Sequence, residues 1–407
     1  MVRSHYNQKA RLRHFSRQEG NHFKLTMVDL KNRRVGSRNI ETAFYEEGLY
    51  SDELEKELNF KIETPGMQIF DKVYKSDGFV SLSRHELELL KKYLLIQQYR
   101  NPTNISHYDP EWEGDILHFN QKFNNSDETY KEYVYRMMQY VLDHTWSELI
   151  DSEIEEIQTN ARNINGTKTL FVRSDHEFVI NDIGLVTERQ PWNKYEKNKE
   201  INETVKAWFR KEGVEATEEE FQHYIKAHQW HDNFTFYPIS SHFGIITIES
   251  LWVSLMKAKG AYKTSADSQG NLYTVADADF FRWMDEEMGL HSEFIQRNFV
   301  PCRPYYKSEK LEKASTEEEL AELIGTHKSP DDMYLYPVID LHLGWSLYLN
   351  RLTINEAVNY FAFGSDLDGR ITVDNYEMER LIYCKQGKAK NNLSWLQDID
   401  DWTQPLI

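Results

Sequence analysis

Three short motifs carry the side chains best suited to chemistry on a phosphate. The first is His5-Tyr6-Asn7-Gln8-Lys9-Ala10-Arg11-Leu12-Arg13-His14-Phe15. The second is Gln97-x-x-Arg100-x-Pro102, and the third is Arg173-Ser174-Asp175-His176-Glu177. Histidine titrates near neutral pH and serves as general acid or base. The arginine fork donates two parallel hydrogen bonds to a phosphate. Asp175 is of a type that orients a histidine, acts as a base or holds a metal. Taken as a site, His5, Arg100 and Asp175 are the catalytic candidates, and Arg11, Arg13 and Gln97 the phosphate-binding ones. Mg²⁺ or Mn²⁺ is the cofactor such chemistry would draw on, with no residue assigned as its ligand.

Each motif also has a structural reading. The first could be a solvated basic edge strand, protected by its charges from edge-to-edge pairing. Arg100 could serve a helix C-terminus, where a cation meets the dipole and the last carbonyls. Asp175 could bond its own backbone in an Asx-type turn.

Other clusters are weaker. His223, His228, His231 and Asp232 do not share one helical face and lack the glutamate of a zinc protease motif. Gly364 to Ile371 resembles a calcium loop, but with Gly369 at its sixth position the first and twelfth are Gly364 and Asn375, so two principal carboxylates are missing. A polar turn between a helix and a strand is the expectation there. No Gly-x4-Gly-Lys, Gly-x-Gly-x-x-Gly, Gly-x-Ser-x-Gly or His-Glu-x-x-His occurs, which argues against the common nucleotide hydrolases, dinucleotide oxidoreductases, α/β-hydrolases and metalloproteases.

Charge singles out the first motif. Met1 to Arg38 holds ten Lys and Arg against two Asp and Glu, in a chain of net charge −18. A polyanion such as RNA or DNA would meet the chain here, and the acidic remainder would confine it to one groove or offer a surface to a protein partner. Two cysteines, Cys302 and Cys384, far apart in sequence, point to a reducing cytoplasm without structural disulfides. The polar start carries no signal peptide and no apolar run approaches a membrane span, so no membrane partner is expected.

The elements that must position these residues follow from pattern. His22 to Leu30 alternates as a strand, and Ile40 to Lys75 reads as mainly helical, broken at Pro65-Gly66. Ser83 and Glu86 have capping-box spacing and open a helix whose Leu87, Leu90 and Leu94 form a stripe, ending at Asn101-Pro102. A second long helix is expected from about Glu128 to Ile157. Leu170–Arg173, Phe178–Ile180, Phe234–Tyr237 and Phe243–Ile248 are strand signals, and helices are expected at 276–298, 316–324 and 355–363. The expected class is α+β: N-terminal strands, a central helical layer, a mixed or antiparallel sheet and a mostly helical C-terminal third. Residues 1–187 with 233–260 would form the core, 188–232 a charged helical insertion, and 261–407 a region packed on the core.

The motifs in order resemble an uncharacterised, mainly bacterial family, the domain of unknown function 4238. Its His-Tyr-x-Pro followed by Leu-Arg-x-Phe is matched by His5, Tyr6, Leu12, Arg13 and Phe15. Its Gln-x-x-Arg-x-Pro is matched by Gln97, Arg100 and Pro102, and its Ser-Asp-x-Pro by Ser174 and Asp175. A Pro-Leu-Ser-Pro motif is approached by Pro238-Ile239-Ser240-Ser241. Gln8, Glu177 and Ser241 stand where the family has proline. The resemblance implies that His5, Arg13, Gln97, Arg100 and Asp175 converge in one pocket. Two readings follow. One is a nuclease-like enzyme, with the kind of family pointing to a toxin or phage-defence effector. The other is a non-enzymatic binding protein in which these residues form a structural polar network.

Overall fold

The computed structural model describes residues 3–5, 7–47, 51–100, 130–191, 230–249, 333–385 and 391–399. It also describes strand segments 262–266, 272–276 and 305–306 and positions 206, 207, 210, 217, 401, 402, 404 and 406. After strand β1 (Arg3–His5) the chain makes a short helix, α1 (Lys9–Arg13), then β2 (Arg17–Glu19), β3 (His22–Asp29), β4 (Arg34–Asn39) and β5 (Tyr45–Glu47), which returns to pair with β1. The first motif is therefore not a strand throughout. Asn7, Gln8, Arg11, Leu12 and Phe15 are buried while Lys9, Ala10 and Arg13 are exposed, a helical period and not a two-residue one.

The segment from Ile40 opens with a single 3-10 turn, Ile40–Thr42, and β5, so its helical part starts only at α2 (Asp52–Leu58). A π-helical segment, Asn59–Glu63, joins α2 to α3 (Thr64–Tyr74). The expected break at Pro65-Gly66 does not occur. Pro65 sits in the first turn of α3, where a missing N–H is tolerated, and Gly66 lets the ring of Tyr93 approach.

Strand β6 (Phe79–Ser83) leads into α4 (Arg84–Tyr99), started by the expected capping box: the Glu86 N–H donates to Ser83 Oγ at 3.2 Å and the Ser83 N–H to Glu86 Oε2 at 2.9 Å. The expected helix over 128–157 is instead three: α5 (Tyr130–Asp143), α6 (Trp146–Ile150) and α7 (Glu155–Gly166). A second capping box, between Thr145 and Glu148, ends one helix by starting the next.

The remaining strands are β7 (Lys168–Ser174), β8 (Ile180–Asn181), β9 (Val186–Pro191), β10 (Trp230–Pro238), β11 (Phe243–Ile248), β12 (Tyr262–Ala266), β13 (Leu272–Ala276), β14 (Tyr305–Tyr306) and β15 (Met333–Leu341). Then come α8 (Leu343–Glu356), β16 (Tyr360–Phe363) and α9 (Asp366–Lys385). The helix expected at 355–363 is corrected to a helix end and a strand. The Asp182 carboxylate accepts from the N–H groups of Val358 at 3.0 Å and Asn359 at 2.8 Å, turning the chain out of α8 and into β16. The calcium-like segment is likewise a turn from a strand into a helix, the reverse of the order expected. Helices expected at 276–298 and 316–324, most of the segment 188–232, His223, His228 and Cys302 lie outside the described residues.

The fold is α+β. A mixed six-stranded sheet runs β6-β15-β7-β11-β10-β9, antiparallel except where β15 lies parallel to β7. A second sheet runs β2-β3-β16-β8, with β4 also on β3. Side chains alternate across the six-stranded sheet. Phe171, Ile245, Tyr237 and Val338 face a helical layer built on α3 to α7. Leu170, Val172, Phe236 and Ile246 face the other core, with Leu25 and Met27 of β3 and Trp345 and Leu349 of α8. The stripe Leu87, Leu90 and Leu94 belongs to the first of these cores, as its spacing requires. Among the described residues no helix is long and apolar enough to cross a membrane.

Candidate functional site

Helix α1 is the hub of the polar interior. Its burial pattern turns Arg11 inward, where the side chain is 1% exposed. Arg11 Nε donates to the Pro238 carbonyl at 2.8 Å and Nη2 to the Gly184 carbonyl at 2.6 Å, with Asn7 Oδ1 at 3.4 Å from Nη1. Burial lowers the arginine pKa, against the pull of the nearby tyrosines, chiefly Tyr93. Asn7 Nδ2 donates to the Asn181 carbonyl at 2.7 Å, and Tyr93 Oη donates to Gln8 Oε1 at 2.9 Å. Gln97, one helical turn beyond Tyr93, donates to the Ile183 carbonyl at 3.1 Å. The first motif, the end of α4 and the Pro238 corner therefore meet in one buried knot.

Arg100, which caps α4, lies at a second centre. It is 1% exposed and forms an ion pair with Glu63. Glu55 joins them. Burial raises its carboxyl pKa, Arg100 opposes that rise, Glu63 reinforces it, and the backbone N–H of His5 donates to the carboxylate. The π-segment makes this arrangement. Eight residues of α-helix would leave Glu55 and Glu63 about 80° apart at about 100° per residue, and the wider π-turn takes up the difference. The centre holds a buried arginine and two interacting carboxylates, with the main chain of His5 against one of them.

Arg13 and Asp175 stand apart from both. Arg13 is exposed on α1 and lies over the ring of Phe23 at 4.3 Å. Asp175 is exposed at the end of β7. The turn there is built by Ser174, whose Oγ accepts from the His176 N–H at 3.0 Å, and not by Asp175. His176 is the buried member of that motif: Nε2 lies 2.8 Å from Thr372 Oγ1 and Nδ1 3.3 Å from Asp368. Burial lowers its pKa, and Asp368 works against that. So the structure brings His5, Arg11, Gln97 and Arg100 into adjoining buried clusters and leaves Arg13 and Asp175 on the surface.

The segment that follows α1 lines an open cleft of about 310 Å³ through Phe15, Ser16 and Arg17, with Glu177, Ser241 and the Gly364–Asp366 turn. Glu177 Oε2 accepts from the N–H groups of Gly364 at 3.1 Å and Ser365 at 2.6 Å, so a carboxylate already occupies the start of α9. The three positions at which this sequence departs from proline all make bonds proline lacks. Gln8 accepts from Tyr93, Glu177 caps α9, and the Ser241 N–H donates to the His14 carbonyl at 3.1 Å.

Sequence reasoning missed Asn7, Gln8, Glu55, Glu63 and Tyr93. Asn7 and Gln8 lie inside the first motif, and Tyr93 sits at position i−4 from Gln97 on the same helix. Glu55 and Glu63 had no signal, since an i, i+8 pair meets only across a π-turn. Among the described residues no group of three or more His, Cys, Asp or Glu is placed to hold a metal.

Comparison with curated proteins returns no match, and neither does comparison with solved structures. A family model does match, over residues 3–263, a span that includes α1, Glu55, Glu63, Arg100, the β7 turn and Pro238. The chain belongs to the family described as Protein of unknown function (DUF4238).

Proposed function

We propose that the chain is a nuclease-like enzyme acting on phosphodiesters, of the toxin or phage-defence kind the family resemblance implies, with its reacting centre at His5, Glu55, Glu63 and Arg100. The observation that carries this reading is a buried Arg100 beside Glu55, a carboxyl whose proton affinity burial raises. Perturbed carboxyls beside a specific charge partner concentrate at functional sites. Arg100 would bind phosphoryl oxygens and stabilise the charge that develops on them. As a water oxygen attacks phosphorus and releases its proton to solvent, the P–O bond to the leaving group breaks and Glu55, held in place by the His5 N–H, would give its proton to the leaving oxygen. Arg13 and the outer basic residues of the first motif would steer nucleic acid to the centre.

The test is incubation of the full chain with total RNA and with plasmid DNA, each with Mg²⁺, with Mn²⁺ and with EDTA. Glu55→Gln should lower the cleavage rate by roughly 10²-fold or more, the ordinary worth of a general acid, with its circular dichroism unchanged. His5→Asn keeps the main-chain N–H and should lose less. Cleavage that persists in a folded Glu55→Gln would falsify the assignment, and so would a wild type inert under all six conditions.

A second reading rests on the Arg11 knot. Arg11 and Gln97 are directed at main-chain carbonyls, as structural pins are. On that reading the whole network fixes the fold of a non-enzymatic binding protein. It predicts that Glu55→Gln and Arg100→Lys change stability alone.

A further inference from the structure

Glu63 is the carboxylate of the proposed centre to which no chemical step is assigned. It is the last residue of the π-segment, its side chain is 14% exposed, and the ion pair with Arg100 is its one polar contact among the described residues. Arg100, by contrast, is 1% exposed. The pair thus joins a fixed, buried cation to an anion at the edge of solvent. The guanidinium fork suits a carboxylate and a phosphate alike. The π-segment buries Ile62 in the helical core and turns Phe60, 81% exposed, to its outer side.

We propose that Glu63 is a displaceable lid on an anion seat. The carboxylate of Glu63 occupies the position on Arg100 that a phosphate of the substrate takes, and the phosphate enters by replacing it. This inference rests on the reading of Arg100 as the phosphate clamp. Arg100 then faces an anion both before and after the exchange, so the charge is never buried alone, which would be strongly unfavourable. The incoming phosphate replaces one negative charge beside Glu55 with another, so the charge that helps hold the proton on Glu55 persists through the exchange. A lone phosphate must compete with an intramolecular carboxylate, whereas a phosphate within a nucleic-acid strand is helped by contacts of its neighbours. The lid therefore selects polyanions over inorganic phosphate.

The experiment measures binding of inorganic phosphate to the full chain by its effect on the melting temperature and by titration calorimetry, at constant ionic strength set with chloride. Wild type should show little response. Glu63→Ala should melt lower than wild type without phosphate, because the Arg100–Glu63 ion pair is gone, and should recover saturably as phosphate is added, with at least tenfold tighter binding than wild type. The double variant Glu63→Ala, Arg100→Lys should lose most of that gain. Should Glu63→Ala fail to fold, Glu63→Asp, one methylene shorter, should show a smaller gain of the same sign. Phosphate affinity equal to that of wild type in a folded Glu63 variant overturns the lid. Phosphate binding by Glu63→Ala in a chain that cleaves nothing supports the seat and defeats the nuclease reading alone. Cleavage that needs Glu55, with unchanged phosphate affinity in Glu63→Ala, defeats the lid alone.

Discussion

Arg11 donates to the carbonyl of Gly184 at 2.6 Å, and the other side of Gly184 is closed by Asn7 and Gln97. Gly184 has φ +76°, and a Cβ there would collide with Asn7 Oδ1 and lie 2.8 Å from Gln97 Nε2. Both the backbone conformation and the space require glycine. Gly184→Ala should destabilise the chain by about 2 kcal/mol or more, since a non-glycine residue in a sparsely populated conformation alone costs about 1–3 kcal/mol. Urea unfolding measures it, and a midpoint equal to that of wild type would contradict the packing described.

Arg11 ties together two carbonyls with one planar group, that of Pro238 at the end of β10 and that of Gly184 in the turn between β8 and β9. Lysine cannot span both. Arg11→Lys should therefore cost nearly as much as Arg11→Met, roughly 3 kcal/mol, because each orphaned buried carbonyl costs about 1–3 kcal/mol. A lysine variant as stable as wild type would show that the fork geometry is dispensable.

Glu55 gives a signed pH dependence. Its pKa in the folded chain is raised by burial, with Glu63 adding to the rise and Arg100 opposing it. The folded chain thus binds more protons than the unfolded one between the ordinary glutamate value, about 4.3, and the raised value. Stability from this group is fully present below that window and is lost as pH rises through it. Glu55→Gln removes the loss, so its melting temperature relative to wild type should climb between pH 4 and pH 7 (set by the same window). A melting temperature of the variant minus that of wild type that stays constant or falls over that range excludes the proton affinity assigned to Glu55.

His176 acts in the opposite direction. Burial lowers its pKa, so its contribution is present above the ordinary histidine value, about 6.5, and is lost as pH falls through the folded value. His14, lowered by burial as well, has the same sign. His176→Gln should keep a hydrogen bond to Thr372 while reducing the loss of stability between pH 7 and pH 5 (the range that spans the histidine transition). Urea midpoints at the two pH values test this, and an unchanged difference would assign the acid sensitivity elsewhere.

What could be read from sequence was local or strictly periodic. The Ser83 box forms from four consecutive residues and needs nothing else. Strands β7, β10 and β11 announce themselves because each is apolar enough to fill a buried sheet. Helix α1 was missed because a single turn has almost no intrinsic stability, and what holds it is Arg11 reaching residues 173 and 227 positions away. The break before α6 was legible in Thr145-x-x-Glu148 but was masked by an unbroken helical stripe. Strand β16 was misread because its fate is decided by Asp182, far back in the chain. Asp175 is a candidate by residue type and by its match to the family motif, yet the strand has ended there and Ser174 redirects the backbone. In the site, residue types were visible and partners were not, since Glu55 and Glu63 meet Arg100 only through the π-turn.

Strand β15 lies between β6 and β7 and pairs with both, yet residues 333–341 fall well after 263, where the family match ends. The matched region alone would thus carry a gap one strand in from the edge of its own sheet, with the open edges of β6 and β7 facing each other across it. A fragment stopping at 263 should aggregate or recruit a foreign strand. Supplied separately, residues 333–399 should restore it, so the late segment behaves as a keystone that the earlier chain awaits during synthesis.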